Sequence, residues 1–131
     1  MTPPQASTQE VATAPRILVI DDDRSVLRAI RLTLILDGFE VETASDGLEG
    51  LDQLNDADFD LVVLDLQMPG MDGRTCFREM RSRGYEMPVL IISAYGAETA
   101  RAELQADGAV GKPFDPDMLV EKIRSLLPAT E

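Results

Sequence analysis

The stretch DLVVLDLQMPGMDG, residues 60–73, decides the fold of this chain. Its apolar run LVVL suits a strand that is buried on both faces of a sheet, as the strands of parallel sheets are. The run ends on Asp65, and a Met-Pro-Gly sequence breaks the chain shortly afterwards. In α/β proteins, chemistry collects at the carboxyl ends of such strands. The stretch therefore predicts a parallel sheet with Asp65 on its functional edge, outside the core.

Short apolar runs alternate with helical patterns on both sides of this stretch. The predicted strands are 16–21, 39–44, 60–65, 87–93 and 108–112, and the predicted helices are 24–37, 46–54, 72–83, 98–106 and 116–127. Strand–helix units in series indicate a parallel α/β sheet covered by helices on both faces. The alternating segment FEVETA, 39–44, is typical of an edge strand. We expect one domain, residues 16–127, between a disordered N-terminal tail, 1–15, and a short C-terminal tail, 128–131.

The charge of the chain limits its partners. Its 12 basic and 24 acidic residues give a net charge of −12. Phosphates of nucleic acids and anionic membranes repel such a chain, so we expect neither direct nucleic-acid binding nor membrane binding. No apolar run approaches the roughly 20 residues of a membrane span. The first fifteen residues lack the basic and apolar blocks of a targeting segment, so a cytoplasmic location is predicted.

Two residue types that often carry chemistry are scarce. The chain has no histidine, which excludes histidine-based triads, histidine metal sites and a phosphohistidine on this chain. Its one cysteine, Cys76, excludes an internal disulfide and a cysteine metal cluster. Cys76 stands beside Phe77 and close to Met80 in a predicted helix, which indicates a packed thiol rather than a catalytic one.

Polar side chains end four of the five predicted strands. These are Asp21 and Asp22 after the first strand, Asp65 after the third, Ser93 after the fourth and Lys112 after the fifth. Two carboxylates 4 Å apart repel by about 1 to 4 kcal/mol, so the acidic residues need a cation, and oxygen ligands suit Mg²⁺. A carboxylate beside Mg²⁺ and a lysine can attack a phosphoryl group and become an aspartyl phosphate. Ser93 can donate a hydrogen bond to that group.

The acidic residues and two neighbouring segments also suggest other kinds of site. Acidic residues after strands can cap helices, and we expect that role for Asp23 but not for Asp65. The segment DADFDLVVLDLQ, 56–67, begins like a calcium-binding loop but has Gln67 where the bidentate glutamate belongs. The segment GAVGKPF, 108–114, hints at a phosphate-binding loop but lacks the required Ser or Thr after its lysine. Neither segment predicts a site of its own.

Four motifs in order resemble the response-regulator receiver domain, the CheY-like family of two-component signalling: RILVIDDDRSVLRAI, DLVVLDLQMPGMDG, VLIISAYG and KPFDPDMLVEKIRSLL. The resemblance covers residues 16–127. It implies a flavodoxin-like fold whose five parallel strands have the order 2-1-3-4-5. It also implies a stand-alone receiver that takes a phosphoryl group from a histidine kinase or phosphotransfer protein. Such a receiver is not otherwise an enzyme.

The resemblance further assigns roles to individual residues. Asp65 matches the phosphorylated aspartate, and Asp21 and Asp22 match the pair that holds Mg²⁺, Asp21 largely through water. The backbone carbonyl of Gln67 would complete the protein's share of the coordination. The remaining matches are Ser93 as the switch hydroxyl and Lys112 as the lysine that contacts the phosphoryl group, with a cis bond between Lys112 and Pro113.

We expect a downstream protein to bind the surface formed by the fourth helix, fifth strand and fifth helix. The chain itself is expected to be a monomer or a phosphorylation-dependent dimer. One position departs from the family, because Ala109 stands where an aromatic residue usually switches. We therefore expect Ser93 to move the SAYG loop, with Tyr95 and the fourth helix. The alternative is that Tyr95 only covers the site.

Three alternatives to a stand-alone receiver remain open. The first is a phosphatase that works through an aspartyl phosphate, although Gln67 stands where such enzymes place a second aspartate. The second is a receiver fragment of a larger regulator or hybrid kinase. The third is a flavodoxin-like flavin binder, although the acidic loop DDDRS, 21–25, would repel a flavin phosphate.

Overall fold

The computed structural model describes residues 14–128 of the chain. The strands are β1 (Arg16–Ile20), β2 (Glu40–Ala44), β3 (Leu61–Asp65), β4 (Val89–Ser93) and β5 (Gly108–Gly111). The helices are α1 (Arg24–Leu36), α2 (Gly47–Asp56), α3 (Gly73–Ser82), α4 (Ala97–Leu104) and α5 (Pro116–Leu126). The predicted tails, 1–15 and 128–131, lie outside the described residues except for 14, 15 and 128, so they stay predictions.

The five strands form one parallel sheet in the order β2-β1-β3-β4-β5, which confirms the fold class and the strand order. The FEVETA segment supplies the edge strand β2, as its alternating pattern predicts. Predicted and observed boundaries differ by one or two residues. Strand β4 begins at Val89 rather than Met87, after Pro88, and β5 ends at Gly111, one residue before Lys112.

Alternate side chains of the central strands enter two separate apolar layers, because successive residues of a strand point to opposite faces. One layer contains Ile17, Val19, Leu61, Val63, Leu90 and Ile92 and packs against α1 and α5. The other contains Leu18, Ile20, Val62, Leu64, Val89 and Ile91 and packs against α2, α3 and α4. Cys76 lies fully buried in the second layer, which confirms the predicted packed thiol.

Aspartates cap the helices that follow four of the strands. The N-cap residues, whose side chains accept backbone N–H groups of the first turn, are Asp23, Asp46, Asp72 and Asp115. The cap predicted for Asp23 is therefore confirmed: its Oδ1 accepts from Ser25 N at 2.9 Å and from Val26 N at 3.3 Å. A capping aspartate is worth about 1 kcal/mol to its helix.

Helix α4 differs from the other helices. Its N-cap, Gly96, has φ 58° and provides no side-chain cap, and its C-cap, Gln105, has φ 62°. Only Ala97, Ala100 and Leu104 of this helix are buried. Because two of these three side chains are methyl groups, α4 gains the least from apolar burial.

None of the helices within residues 14–128 combines the length and the apolar character that a bilayer crossing requires.

The strand register brings the polar strand ends together. Ile20 of β1 pairs with Leu64 of β3, so Asp21 follows beside Asp65. Asp65 in turn pairs with Ile92 of β4, which places Ser93 next along that edge. Ser93 pairs with Gly111, so Lys112 follows directly on the neighbouring strand.

Candidate functional site

Three carboxylates meet at the carboxyl edge of the sheet. Each of Asp21, Asp22 and Asp65 offers one oxygen, and these oxygens lie within 4.8 Å of one another. Asp22 is exposed, whereas Asp21 is 0% and Asp65 1% exposed. Asp65 lies at the strand end as predicted and belongs to neither apolar layer, but the protein shields it almost completely from solvent.

The Lys112 ammonium lies between the two buried carboxylates. Its Nζ is 3.0 Å from Asp21 Oδ2 and 3.2 Å from Asp65 Oδ1. Burial lowers the pKa of Lys112, but the contacts with Asp21 and Asp65 and their negative charges outweigh it, so this pKa lies above its usual value. The ammonium is therefore charged at neutral pH. The Lys112–Pro113 peptide bond is cis, as the resemblance implies.

The site still has unused oxygen ligands. Among the described residues, Lys112 Nζ forms an ion pair with Asp21 Oδ2 and Asp65 Oδ1, but neither contact has the alignment of a hydrogen bond. No other donor is in hydrogen-bonding geometry with these two oxygens in that part of the chain. Buried carboxylate oxygens without a hydrogen-bond partner are costly. The residues thus fit a hard divalent cation such as Mg²⁺, which takes oxygen ligands and keeps several waters.

Ser93 occupies the neighbouring strand end and is fully buried. Its Oγ lies 3.0 Å from Gln67 Oε1 and 2.8 Å from the carbonyl oxygen of Tyr95. The amide oxygen of Gln67 also accepts the backbone N–H of Ala94, at 3.3 Å. The sequence predicted a role for the backbone of Gln67 but missed this role of its side chain. No pattern signals it, because it depends on the path of the loop after β3.

Comparison with known proteins decides the family. Residues 17–124 match the family described as the response regulator receiver domain. The chain belongs to this family.

Relatives of this receiver domain are found among curated proteins and solved structures. It is 40% identical over 118 residues to response regulator MprA of Mycobacterium sp. (strain KMS), covering 88% of this chain and 51% of that protein. The chain thus spans about half the length of the curated relatives it matches, and its stand-alone action stays a prediction. Because these relatives are longer than this chain, the net charge of this chain alone is weaker ground for excluding nucleic-acid binding.

Two solved receivers have the same fold. Chemotaxis protein CheY4 of Vibrio cholerae matches with a TM-score of 0.82 and 30% identity, covering 87% of this chain and 99% of that one. TrrA of Thermotoga maritima, solved in complex with Mg²⁺-BeF, matches with a TM-score of 0.79 and 33% identity, covering 86% and 99%. Receiver domains bind Mg²⁺ at an acidic pocket and interact with histidine kinases and downstream effectors.

The electrostatics of the receiver's acidic pocket are unfavourable without a metal. Burial and, second, the negative charge of Asp21 raise the pKa of Asp65 while Lys112 opposes the rise, and the net effect takes this pKa from 3.8 to about 6. The folded state therefore binds a proton on Asp65 more tightly than the unfolded state does. The stability contributed by that proton is fully present below about pH 3.8 and is lost as the pH rises through about 6.

Asp65→Asn is therefore expected to stabilise the metal-free receiver at about pH 7.5. The gain is up to about 3 kcal/mol, from a shift of roughly two pKa units, and it should vanish below about pH 4 because Asp65 is then protonated in the wild type. Denaturant unfolding in EDTA at several pH values measures it. A variant that gains nothing at neutral pH would show that Asp65 carries no net penalty from burial and repulsion.

The backbone around the phosphoacceptor position is closely packed. Gly73, at the start of α3, lies against the end of β3: a Cβ there would be 2.3 Å from the carbonyl oxygen of Asp65 and 2.6 Å from Leu66 Cα. The N–H of Gly73 donates to the carbonyl of Leu66 at 3.1 Å. Helix α3 thus holds the loop after Asp65 through backbone contacts that only glycine permits.

Position 109 lies beside an open groove. Ala109 and Gly111 of β5 line a cavity of about 490 Å³ together with Phe114, Met118 and Lys122. The small side chain of Ala109 leaves room where the family usually places an aromatic residue. Tyr95 is 81% exposed. Both expectations for Tyr95 concern the phosphorylated receiver and stay predictions.

Proposed function

We propose that this receiver domain accepts a phosphoryl group on Asp65, with Mg²⁺ held by Asp21, Asp22, Asp65 and the backbone carbonyl of Gln67. One observation carries the proposal: a buried carboxylate at a strand end lies 3.2 Å from a charged lysine and beside an acidic pair. Among the described residues, the Lys112 ammonium is the one cation in contact with both Asp65 Oδ1 and Asp21 Oδ2, so a single positive charge faces two buried carboxylates.

The TrrA structure supports this choice of metal, because that receiver is described in complex with Mg²⁺ and BeF. When bound, Mg²⁺ would offset the negative charge on the oxygens of the transferred group. It would also relieve the repulsion that raises the pKa of Asp65. Hard oxygen ligands from three carboxylates and one carbonyl fit its preference.

The chain's own residues account for the phosphoryl transfer. A carboxylate oxygen of Asp65 forms a bond to phosphorus, while the bond from phosphorus to an imidazole nitrogen of the donor breaks and its electron pair stays on that nitrogen. Lys112 offsets charge on the phosphoryl oxygens, and Ser93 donates a hydrogen bond to one of them. The donor histidine must lie outside this sequence, because the sequence has none. A histidine kinase or phosphotransfer protein is the corresponding partner.

The output surface is proposed to be formed by α4, β5 and α5. The groove of about 490 Å³ between β5 and α5 supports this, because it is lined by apolar side chains such as Phe114 and Met118 with Lys122 and Glu121 at its polar side. Met118 is 61% exposed, so a downstream protein can bury it. The receiver is not proposed to be an enzyme beyond its own phosphorylation and dephosphorylation. A phosphatase needs a general acid or base beside the phosphoryl group, and the neutral amide of Gln67 cannot take that role.

Acetyl phosphate with Mg²⁺ is expected to add one phosphoryl group to the protein, because a small donor needs no docking partner. Intact-mass measurement checks this. Asp65→Asn should abolish the adduct, since the amide is a poor nucleophile, and EDTA should block it, since the acidic pocket then repels phosphate.

Asp60 is exposed and directly precedes β3, at the opposite end of that strand from Asp65. Asp60→Asn is therefore a matched control, and this variant should be phosphorylated like the wild type. An adduct that forms on Asp65→Asn at the wild-type rate would contradict the assignment of the phosphoacceptor.

A further inference from the structure

The amide oxygen of Gln67 accepts hydrogen bonds from two donors at the edge of the acidic pocket, one a side-chain hydroxyl and the other a backbone N–H. Its Oε1 lies 3.0 Å from Ser93 Oγ and 3.3 Å from Ala94 N. Gln67 belongs to the loop after β3, whereas both donors stand where β4 ends. The side chain is therefore a bridge between the loop that carries the phosphoacceptor and the loop that leads to α4.

The chemistry of the donors fixes the orientation of the amide. A backbone N–H can only donate, so the atom that faces Ala94 must be the amide oxygen. That oxygen carries no hydrogen, so the Ser93 hydroxyl must donate to it. The same hydroxyl is 2.8 Å from the Tyr95 carbonyl, another acceptor, and its single proton is shared between the two. Tyr95 N donates in turn to Ser93 Oγ at 3.2 Å, which completes the bonding of the hydroxyl.

A phosphoryl oxygen at Asp65 would need the same donors. Ser93 follows Ile92, the register partner of Asp65. Because Ser93 is fully buried, its hydroxyl proton has few alternative hydrogen-bond acceptors. In the structure that proton is already committed. Phosphorylation therefore has to displace an existing acceptor, not merely attract a free donor.

We propose that the Gln67 amide oxygen stands in for a phosphoryl oxygen in the unphosphorylated receiver and holds the Ser93–Ala94 edge in its resting position. Gln67 is thus a positioning residue that acts through Ser93 and Ala94. The inference rests on the proposed function of Asp65 and deepens it, because it names what the incoming anion must replace. The amide competes with the anion, so it lowers the affinity of the pocket for a phosphoryl group.

The size of the effect follows from the two hydrogen bonds. A net hydrogen bond changes an equilibrium constant by about two- to tenfold. The hydroxyl keeps the Tyr95 carbonyl as a second acceptor, so loss of the amide does not free it fully. We therefore expect removal of the amide oxygen to tighten anion binding by about three- to tenfold.

The test uses beryllofluoride with excess Mg²⁺ as the probe of phosphoryl binding, followed by amide shifts or calorimetry. Gln67→Met keeps the length of the side chain and the backbone carbonyl but removes the acceptor. It should bind beryllofluoride about three- to tenfold more tightly than the wild type. Gln53→Met is the matched control: Gln53 donates to the Thr43 carbonyl on the edge strand β2, which β1 separates from β3, so this variant should leave the affinity unchanged.

A second measurement separates positioning from a general effect on the fold. Ser93→Ala removes the hydroxyl for which the Gln67 amide and the anion compete, so adding Gln67→Met to it should change the affinity by less than about twofold. In the absence of beryllofluoride, the Ala94 amide should exchange with solvent faster in Gln67→Met than in the wild type, because its acceptor is gone.

The outcomes are distinguishable. If the wild type binds beryllofluoride and Gln67→Met binds it equally or less tightly, this inference is overturned and the proposed function stands. A gain that persists undiminished in the Ser93→Ala background also overturns it. If the wild type does not bind beryllofluoride with Mg²⁺ at all, the proposed function fails, and the role of Gln67 fails with it.

Discussion

Lys112→Met is expected to lower the free energy of unfolding by about 3 to 5 kcal/mol at neutral pH in EDTA. Among the described residues, Lys112 is the only basic side chain within ion-pair distance of Asp21 and Asp65. Its removal leaves two buried carboxylates together without a cation. Losing one partner of a buried ion pair is strongly destabilising, because the remaining charge is neither solvated nor compensated.

The loss should depend on pH and on metal. Lys112 lowers the pKa of Asp65, so without it this carboxyl takes up a proton at a higher pH than in the wild type, and the difference in stability shrinks as the pH falls toward about 6. Mg²⁺ at a hundredfold excess over its Kd stabilises the folded state by about 2.7 kcal/mol. It should stabilise Lys112→Met at least as much as the wild type, because it supplies the missing positive charge.

Denaturant unfolding with EDTA or Mg²⁺, at two pH values, measures these effects. The chain offers a matched control in Lys122→Met, which removes an exposed lysine from α5 and should change stability by no more than about 0.5 kcal/mol. Equal losses for the two lysines would mean that the Lys112 contacts contribute nothing beyond an ordinary surface charge.

Gly73→Ala is expected to destabilise the receiver by at least about 3 kcal/mol, the upper end of the cost of overpacking. The added methyl group would lie 2.3 Å from the Asp65 carbonyl oxygen and 2.6 Å from Leu66 Cα. Both are backbone atoms in the central strand of the sheet or next to it, so neither yields by a side-chain rotation. Relief requires α3 to move away or the end of β3 to shift.

Either movement displaces the phosphoacceptor, so the variant should also be phosphorylated more slowly by acetyl phosphate. Thermal unfolding and intact-mass kinetics measure the two effects. Gly111→Ala is the matched control for stability, because its methyl group would meet only the Ser93 carbonyl oxygen, at 3.9 Å. Wild-type stability in Gly73→Ala would mean that α3 is not held against β3 by these backbone contacts.

Much of the fold could be predicted from the sequence. The runs ILVI, LVVL and VLII are apolar on every residue because their strands are buried on both faces of the sheet, so their type and location were predictable. Boundaries were less certain because they depend on local geometry. Helix α2 continues to Asp56, two residues beyond its predicted end, and Ala57 caps it with an N–H that donates to Gln53.

The grouping of the site residues could be predicted for the same reason. Parallel strands end on one edge, so polar residues at strand ends must meet there, and Asp21, Asp65 and Lys112 do. The burial of Asp65 was not predictable, because the sequence pattern places this residue at a strand end but does not show how much of its side chain solvent can reach. The bridge from Gln67 to Ser93 was hidden likewise, because it depends on a rotamer in a loop without periodic pattern.

The burial of Cys76 has a practical consequence for measuring motion in this protein. Its thiol is fully enclosed, and burial raises its pKa to about 11, so at neutral pH it is neither accessible nor ionised. The sequence contains no other cysteine. A thiol-reactive dye or spin label would therefore attach only to a cysteine introduced at an exposed position, such as Ala102 of α4. The natural background needs no substitution, and a reporter can be placed on α4 in an otherwise unaltered chain.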